Sequence, residues 1–170
     1  MPPAVFYSLT LFVVALDQAV KAWVRHSVPL NTSIPWWPGV FQITHTQNPG
    51  MAFSLLEGKT FLLIAAAVLV GAVLIVAERR AKNRMPLLLG LALALPLGGA
   101  MGNLIDRVWQ GYVTDLFDFV KIHFPVFNVA DAAITVGIVL LAYRTLTDTG
   151  NQPASHNVAA GQSETTTAKG

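Results

Sequence analysis

Two short motifs of the same form, Asn-x-x-Asp, occur at Asn103–Asp106 and Asn128–Asp131, and the aspartates Asp115 and Asp118 lie between them. Residues three apart share one face of a helix, so each asparagine is expected on the same face as the aspartate that follows it. When two carboxylates are held close together, the pKa of one is raised, which leaves one acid and one base near neutral pH. Such a pair can activate water and protonate a leaving amine without a metal ion or a covalent nucleophile.

Other chemistries lack the residues that they require. The chain has no cysteine, which excludes a thiol nucleophile, a CxxC redox pair and a cysteine-based zinc site. The four histidines lack a metal-ligand spacing such as HExxH, and no Gly-x-Ser-x-Gly occurs. Asp148-Thr149-Gly150 matches the Asp-Thr-Gly of soluble aspartic proteases, but it lies in a polar tail and is interpreted as chance. We therefore expect no metal and no cofactor.

The composition indicates a protein of the lipid bilayer. Only 12% of the 170 residues are charged and 54% are hydrophobic, whereas about a quarter of the residues in a soluble domain are charged. A spanning helix needs roughly 20 predominantly apolar residues, and segments at about 4–24, 60–77, 85–105 and 125–146 come close to this. The predicted fold class is an all-α membrane protein with four transmembrane helices. The small net charge of +2 and the absence of a basic patch argue against a nucleic-acid partner.

The distribution of basic residues predicts the orientation in the membrane. The short loop 78–84 contains four basic residues, which marks it as cytoplasmic by the positive-inside rule, although Lys21 and Arg25 near the end of the first span go against that rule. Four spans then place both termini in the cytoplasm and the loops 26–59 and 106–124 outside. The N-terminus lacks the basic region of a signal peptide, so the first span is interpreted as a retained helix. Residues 1–147 form one membrane domain, and the polar tail 148–170 is predicted to be disordered.

The first outer loop has the pattern of a small β-hairpin at the membrane surface. Apolar and polar residues alternate from Val40 to Ile43, Asn48-Pro49-Gly50 is typical of a turn, and Met51–Leu56 is predicted as the return strand. The adjacent Trp36 and Trp37 suit the depth of the lipid headgroups.

On this topology five of the nine acidic residues converge on the outer face of the membrane. Ionisable groups in a span need a partner or a function, and the spacing of Asp17 and Lys21 favours a simple ion pair over catalysis. The residues alone leave three classes open: an aspartyl hydrolase, an ion-coupled or proton-coupled transporter, and a membrane scaffold. The shallow position of the acids and the absence of a visible repeat favour the hydrolase over the transporter.

Several blocks of the chain resemble the bacterial lipoprotein signal peptidase family, also called signal peptidase II. They follow the family's order from the first span to the fourth. The blocks are Leu16-Asp17-Gln18-Ala19-Val20-Lys21, Asn48-Pro49-Gly50-Met51-Ala52-Phe53-Ser54, Gly98-Gly99-Ala100-Met101-Gly102-Asn103-Leu104-Ile105-Asp106-Arg107, Val113-Thr114-Asp115 and Phe127-Asn128-Val129-Ala130-Asp131.

The resemblance implies a fold, an activity and a set of site residues. The fold is four transmembrane helices with an outer β-cradle and a short outer helix in the bacterial cell membrane. The activity is an aspartyl endopeptidase that cleaves the signal peptide of prolipoproteins just before a cysteine carrying diacylglyceryl. The catalytic pair becomes Asp115 and Asp131, and the choice of Asp115 over Asp118 rests on the family pattern alone. The positions expected to support the site and the substrate are Asp17, Lys21, Asn48, Gly50, Asn103, Asp106, Arg107 and Asn128.

The resemblance also implies partners and a mechanism. The partners are diacylglyceryl-modified prolipoproteins, membrane lipid and globomycin-type peptide inhibitors. In the resulting hypothesis one carboxylate activates a water, the other bonds the carbonyl oxygen, and Arg107 holds Asp106 and the outer loop.

Overall fold

The computed structural model describes residues 1–50, 60–81 and 85–149 of the chain. Its four long helices are α1 (Pro3–Ser27), α2 (Thr60–Arg80), α3 (Leu87–Gln110) and α4 (Val129–Thr149). All four are long and apolar enough to cross a membrane. The predicted class, a helical multi-pass membrane protein with a small sheet, is confirmed.

The helix ends differ from the prediction where the site lies. Helix α3 continues past the predicted end at 105 to Gln110, so Asp106 and Arg107 are helical and do not belong to a loop 106–124. It ends at Gly111, whose φ of +81° is the left-handed conformation that commonly terminates a helix. Helix α4 begins at Val129 and not at 125, because Phe127 pairs with Phe117 of the sheet.

Helix α3 lies at the centre of the bundle and packs against α1, α2 and α4. Two glycines allow the close approach of its neighbours. A Cβ at Gly99 would overlap the carbonyl oxygen of Ala130 in α4, and a Cβ at Gly102 would lie 2.5 Å from Oδ2 of Asp17 in α1. Small residues at helix contacts let backbones and polar side chains meet inside a membrane protein.

A three-stranded antiparallel sheet packs on one end of the bundle, in the order β1 (Ser33–Trp37), β2 (Phe41–Asn48) and β3 (Val113–Asp118). Met51–Leu56, the predicted return strand of a hairpin with β2, lies outside the described residues. Among the described residues, β2 pairs with β1 and β3. Strand β1 was not predicted. Its Pro35 is compatible with an edge strand, where no ladder bond is lost.

The sheet is fixed to the bundle by a small apolar core. Val24 and Val28 from the end of α1 pack with Ile43 of β2 and Leu116 of β3. Lys21 of α1 pairs with Asp106 of α3 at the same end, and Asp17 bonds the backbone of Ala130 in α4. We term this end of the bundle, where α1 and α3 finish and α4 begins, the site end. A 3₁₀ turn at Val120–Ile122 connects β3 toward α4. The predicted tail lies outside the described residues from 150 onward.

Candidate active site

Asp115 lies in β3 and is 2% exposed. Its Oδ1 accepts a hydrogen bond of 2.7 Å from Nδ2 of Asn128, and its Oδ2 accepts one of 2.9 Å from Nδ2 of Asn48. Burial raises the pKa of the Asp115 carboxyl to about 6, and the negative charge of Asp131 adds to the rise, while the two amide donors oppose it. Asp115 can therefore gain or lose a proton near neutral pH.

Asp131 lies in the first turn of α4 and is half-buried. Its backbone N–H donates to Oδ1 of Asn128 at 2.9 Å, and its Oδ2 accepts from the backbone N–H of Asn128 at 3.3 Å. These reciprocal bonds form a capping box, which satisfies two backbone donors at the start of the helix and fixes both side chains. The Asn-x-x-Asp spacing thus positions Asp131 through the geometry of the helix end.

Asn128 connects the two carboxylates. Its Oδ1 caps α4 at Asp131, and its Nδ2 donates to Asp115. The side chain is fully buried, and Nδ2 also lies 3.2 Å from Oδ1 of Asn103. One amide therefore holds a strand carboxylate and a helix carboxylate in a fixed relation, and the charge of Asp131 is felt at Asp115.

The Asp131 carboxylate has a second partner in Asn103, whose Nδ2 donates a hydrogen bond of 2.8 Å to Oδ1 of Asp131. The other end of this amide, Oδ1, accepts a bond of 2.9 Å from the ammonium group of Lys21. Because an ammonium group can only donate, Lys21 requires the amide oxygen on its own side. The amide nitrogen then faces Asp131, so Lys21 orients the Asn103 donor toward that carboxylate.

Lys21 is fully buried between two carboxylates. Its Nζ lies 2.8 Å from Oδ2 of Asp17 and 3.0 Å from Oδ2 of Asp106. The predicted Asp17–Lys21 ion pair is confirmed. With Asn103 the ammonium has three acceptors, which matches its three protons. Asp17 also accepts the backbone N–H of Ala130 at 3.0 Å, so this cluster joins α1, α3 and α4 beneath the site.

Asp106 has different partners from those expected. Lys21 and Arg25, and not Arg107, make its ion pairs, with Arg25 Nη1 lying 3.7 Å from Oδ1. The backbone N–H of Thr114 donates to Oδ2 at 3.2 Å, which ties the start of β3 to α3. Arg107 is half-buried, its Nη1 lies 3.4 Å from the carbonyl oxygen of Asn103, and its charge is felt by Asp131 and Asp115.

The remaining predicted residues lie at the edge of this cluster. The backbone N–H of Gly50 donates to Oδ1 of Asn48 at 2.9 Å, and the φ of Gly50 is +108°, a conformation that favours glycine. This turn presents Nδ2 of Asn48 to Asp115. Asp118, in contrast, accepts bonds from Gln42 at 2.7 Å and Thr44 at 3.0 Å across the sheet.

Three further residues of the site were missed from the sequence. Nε2 of Gln18 bonds Oδ1 of Asp106 at 3.1 Å, and Arg25 donates to Oγ1 of Thr114 at 3.2 Å. A signal was present in α1, since Gln18, Lys21 and Arg25 follow the i, i+3, i+7 spacing of one helix face. Thr114 carried no such signal, because the partner of its side chain, Arg25, lies 89 positions away in the chain.

An apolar cavity of about 510 Å³ opens between α2, α3 and α4. Its walls are mainly alanine, valine, leucine and isoleucine, and its polar lining residues are Asn103 and Arg107. Since Asn103 donates to Asp131, the cavity runs from the apolar interior of the bundle to the carboxylate cluster. An apolar pocket that ends in a few placed polar groups is typical of a ligand site.

The fold and the site define a multi-pass membrane protein with a buried carboxylate cluster at one end of its helix bundle. The family model for signal peptidase (SPase) II matches residues 9–147. The lipoprotein signal peptidase of Moorella thermoacetica is 44% identical over 86% of this chain and 96% of its own length. That of Brevibacillus brevis is 40% identical over 80% of this chain and 91% of its own length.

A solved structure is also similar. It is a bacterial membrane enzyme determined by the in meso method at 2.3 Å resolution, and it superposes with a TM-score of 0.82 at 29% identity. The match covers 89% of this chain and 93% of the solved one. The chain belongs to the signal peptidase II family. It is therefore a membrane protease of lipoprotein processing, and the transporter and scaffold alternatives are set aside.

Proposed function

We propose that Asp115 and Asp131 are the catalytic pair, and that they hydrolyse the amide bond immediately before a diacylglyceryl-modified cysteine of a prolipoprotein. The observation that carries this assignment is the position of Asn128, which bonds Asp115 and caps the helix turn of Asp131. Asp118 is bonded to Gln42 and Thr44 instead. The geometry thus supports Asp115 as the aspartate of β3 that works with Asp131.

The environments of the two carboxylates suggest separate roles. Asp115 is the more buried, and its raised pKa favours the protonated form. Asp131 is half-buried and its two oxygens accept N–H bonds from Asn103 and Asn128, so its carboxylate is held in place as a proton acceptor. Asp131 removes a proton from water as the water oxygen bonds the carbonyl carbon, and Asp115 gives its proton to the carbonyl oxygen. The tetrahedral intermediate then collapses: the C–N bond breaks, the amine leaves with the proton held by Asp131, and the carbonyl reforms as its hydroxyl returns a proton to Asp115.

The cavity between α2, α3 and α4 suits the apolar part of the substrate. Its aliphatic walls match the signal peptide or the acyl chains, and Arg107 and Asn103 lie where the apolar part gives way to the scissile amide. Membrane lipid fills this space between turnovers in our proposal. Globomycin-type peptides compete for the same cavity, so they raise the apparent KM and leave kcat unchanged.

The site end faces the outside of the cell in this proposal, with both termini in the cytoplasm. Supporting this, α2 ends in Arg79 and Arg80 at the opposite end, and Lys82 and Arg84 follow in the sequence. Short basic loops remain in the cytoplasm. Because the chain has no cysteine, single variants test the orientation cleanly. A membrane-impermeant maleimide added to intact cells without an outer-membrane barrier should label Ser33→Cys and leave Asp148→Cys unlabelled. The reverse pattern would invert the topology.

The substrate class is tested by two forms of one prolipoprotein, with and without diacylglyceryl on the cysteine. Purified protein in detergent should cleave the lipidated form and leave the unmodified form intact. Mass spectrometry of the products should place the cut at the bond before the cysteine. Equal cleavage of both forms would show that the enzyme does not recognise the diacylglyceryl group. A cut elsewhere would contradict the assignment of the scissile bond.

A further inference from the structure

The β1–β2 hairpin exposes an apolar surface without charge. No Asp, Glu, Lys or Arg occurs from Ser27 to Leu56. Within this run, Trp36 is 75% exposed and Trp37 is 65% exposed, and Ile34 and Leu30 are also exposed. Exposed apolar patches of this kind mark a binding surface for protein or membrane.

The local backbone is built to expose both tryptophans. Consecutive residues of a regular strand point to opposite faces of the sheet. In β1, however, Pro35 pairs with Gln42 and Trp37 pairs with Phe41, so Trp36 is the extra residue of a β-bulge. The turn that follows is closed by the N–H of Val40 bonding the carbonyl oxygen of Trp37 at 2.9 Å, with Gly39 at a φ of +73°.

The other two tryptophans of the chain lie at the same end of the bundle. Trp23 in α1 is 48% exposed and Trp109 in α3 is 87% exposed. Trp23 follows Lys21 by two residues, and Trp109 follows Asp106 by three. At 1.5 Å per residue, each tryptophan therefore lies roughly 3–5 Å further along its helix. Because the side chains of Lys21 and Asp106 are paired at 3.0 Å, Trp23 and Trp109 lie at a similar height along the helix bundle. Trp is enriched at the boundary between membrane and water.

We propose that the tip of the β1–β2 hairpin, with Trp36 and Trp37, inserts into the boundary between headgroups and acyl chains of the outer leaflet. This contact fixes the depth of the sheet that carries Asp115. The inference rests on the proposed function for the orientation of the site end and for the role of Asp115. The hairpin run carries no charge, and exposed tryptophans also occur at the site ends of α1 and α3, so lipid is the occupant that fits it.

The depth of the hairpin matters because the substrate is itself held by lipid. A cysteine that carries diacylglyceryl keeps its neighbouring peptide bond near the glycerol level of the bilayer. Strand β3 is joined to β1 through β2, and Asp115 lies opposite Thr46 of β2. Anchoring the hairpin at the interface therefore holds one carboxylate of the site at the depth where the scissile bond lies.

Fluorescence tests the insertion directly. In the Trp23→Phe/Trp109→Phe variant, Trp36 and Trp37 are the remaining tryptophans. In vesicles of phosphatidylcholine and phosphatidylglycerol, brominated acyl chains should quench this emission, most strongly with bromine near the headgroup, and aqueous iodide should quench it weakly. The matched Trp36→Phe/Trp37→Phe variant retains Trp23 and Trp109, so its emission reports the depth of the ends of α1 and α3 in the bilayer. Quenching by iodide alone would place the hairpin in water, and quenching by neither would indicate a protein contact. Either result overturns the proposal.

Activity tests the consequence for catalysis. Trp36→Ser/Trp37→Ser should cleave lipidated prolipoprotein in vesicles more slowly by roughly tenfold or more, because the variant loses the lipid contact of two large aromatic side chains and each is worth about tenfold. Cleavage in micelles, which adapt to the protein, should change little. Trp109→Ser removes a tryptophan that is more exposed than either of these and is not on the sheet, and it should slow cleavage in vesicles less. A hairpin variant with wild-type rates in vesicles would overturn the depth role. Failure of wild-type protein to cleave in either medium would instead contradict the proposed function.

Discussion

Asn128 donates a hydrogen bond of 2.7 Å to Oδ1 of Asp115, and the oxygen of the same amide caps the helix turn that carries Asp131. Asp115 stands on a strand and Asp131 on a helix, so no single element of secondary structure can fix their relation. The buried Asn128 amide does so instead. The two functions of this side chain, capping and bridging, can be separated by substitution.

Asn128→Ser keeps an acceptor at the N-cap and removes the amide donor to Asp115, whereas Asn128→Ala removes both. Both variants should lose most of the cleavage rate. Asn128→Ala should in addition lower the free energy of unfolding relative to Asn128→Ser, by about 1 kcal/mol for the lost cap. Steady-state kinetics and thermal unfolding in detergent measure the two effects. A fully active Asn128→Ser enzyme would show that the bridge to Asp115 is dispensable.

The raised pKa of Asp115 predicts the pH dependence. Its carboxyl is protonated below about 6 and ionised above. Since the proposed acid must hold a proton, kcat/KM should fall as the pH rises through this value. Infrared difference spectra should show a carboxyl band that titrates in the same range and is absent in Asp115→Asn. In Asp131→Asn the midpoint should move down, because the charge that helps to raise the pKa is gone. A midpoint unchanged in Asp131→Asn would mean that the two carboxyls do not interact.

Lys21→Met tests the buried charge cluster. The substitution leaves Asp17 and Asp106 without their common ammonium partner, and breaking a buried ion pair costs about 3–5 kcal/mol of unfolding free energy. A matched control is Arg144→Met, which breaks another pair at i, i+4 spacing, 3.1 Å long, at the exposed Asp148. This pair should contribute less than about 1 kcal/mol. Similar losses of thermal stability in the two variants would contradict the expectation that the buried Lys21 ion pairs contribute more to the free energy of unfolding than the exposed pair does.

Gly102→Ala tests the close contact of α1 with α3. The added Cβ would lie 2.5 Å from Oδ2 of Asp17 and would push that carboxylate away from Lys21. We expect a loss of about 1–3 kcal/mol in stability, as for other overpacked cores, together with lower activity. Gly71→Ala is the control, because its Cβ would make an ordinary contact of 3.7 Å with Leu97. It should be neutral or slightly stabilising. A tolerated Gly102→Ala would show that Asp17 has room to move.

The sequence predicted features that depend on local spacing. Four apolar segments predicted the helices, and the i, i+4 spacing of Asp17 and Lys21 predicted their ion pair, which the structure confirms. The i, i+3 spacing of Asn128 and Asp131 placed them on one face, although the capping box was not foreseen.

Contacts between distant parts of the chain were not predictable in this way. Strand β3 has no simple alternation, since its residues 113–116 are all buried. The bond from Asn48 to Asp115 spans 67 positions. The resemblance to a family assigned Asp115 its role, whereas local pattern alone could not distinguish it from Asp118. Their different partners, Asn128 for one and Gln42 for the other, depend on the tertiary fold.

The most direct test of the account is cleavage of diacylglyceryl-modified prolipoprotein by purified Asp115→Asn, Asp131→Asn, Asp118→Asn and Asp148→Asn proteins. The first two should lose about 10²–10⁴-fold in rate, the contribution typical of general acid–base catalysis. They should remain folded, because the substitutions are nearly isosteric. Asp118→Asn and Asp148→Asn should retain most of the activity. Near wild-type cleavage by Asp115→Asn or Asp131→Asn would contradict the assigned pair, and an inactive but folded Asp118→Asn would transfer the role to the other aspartate of β3.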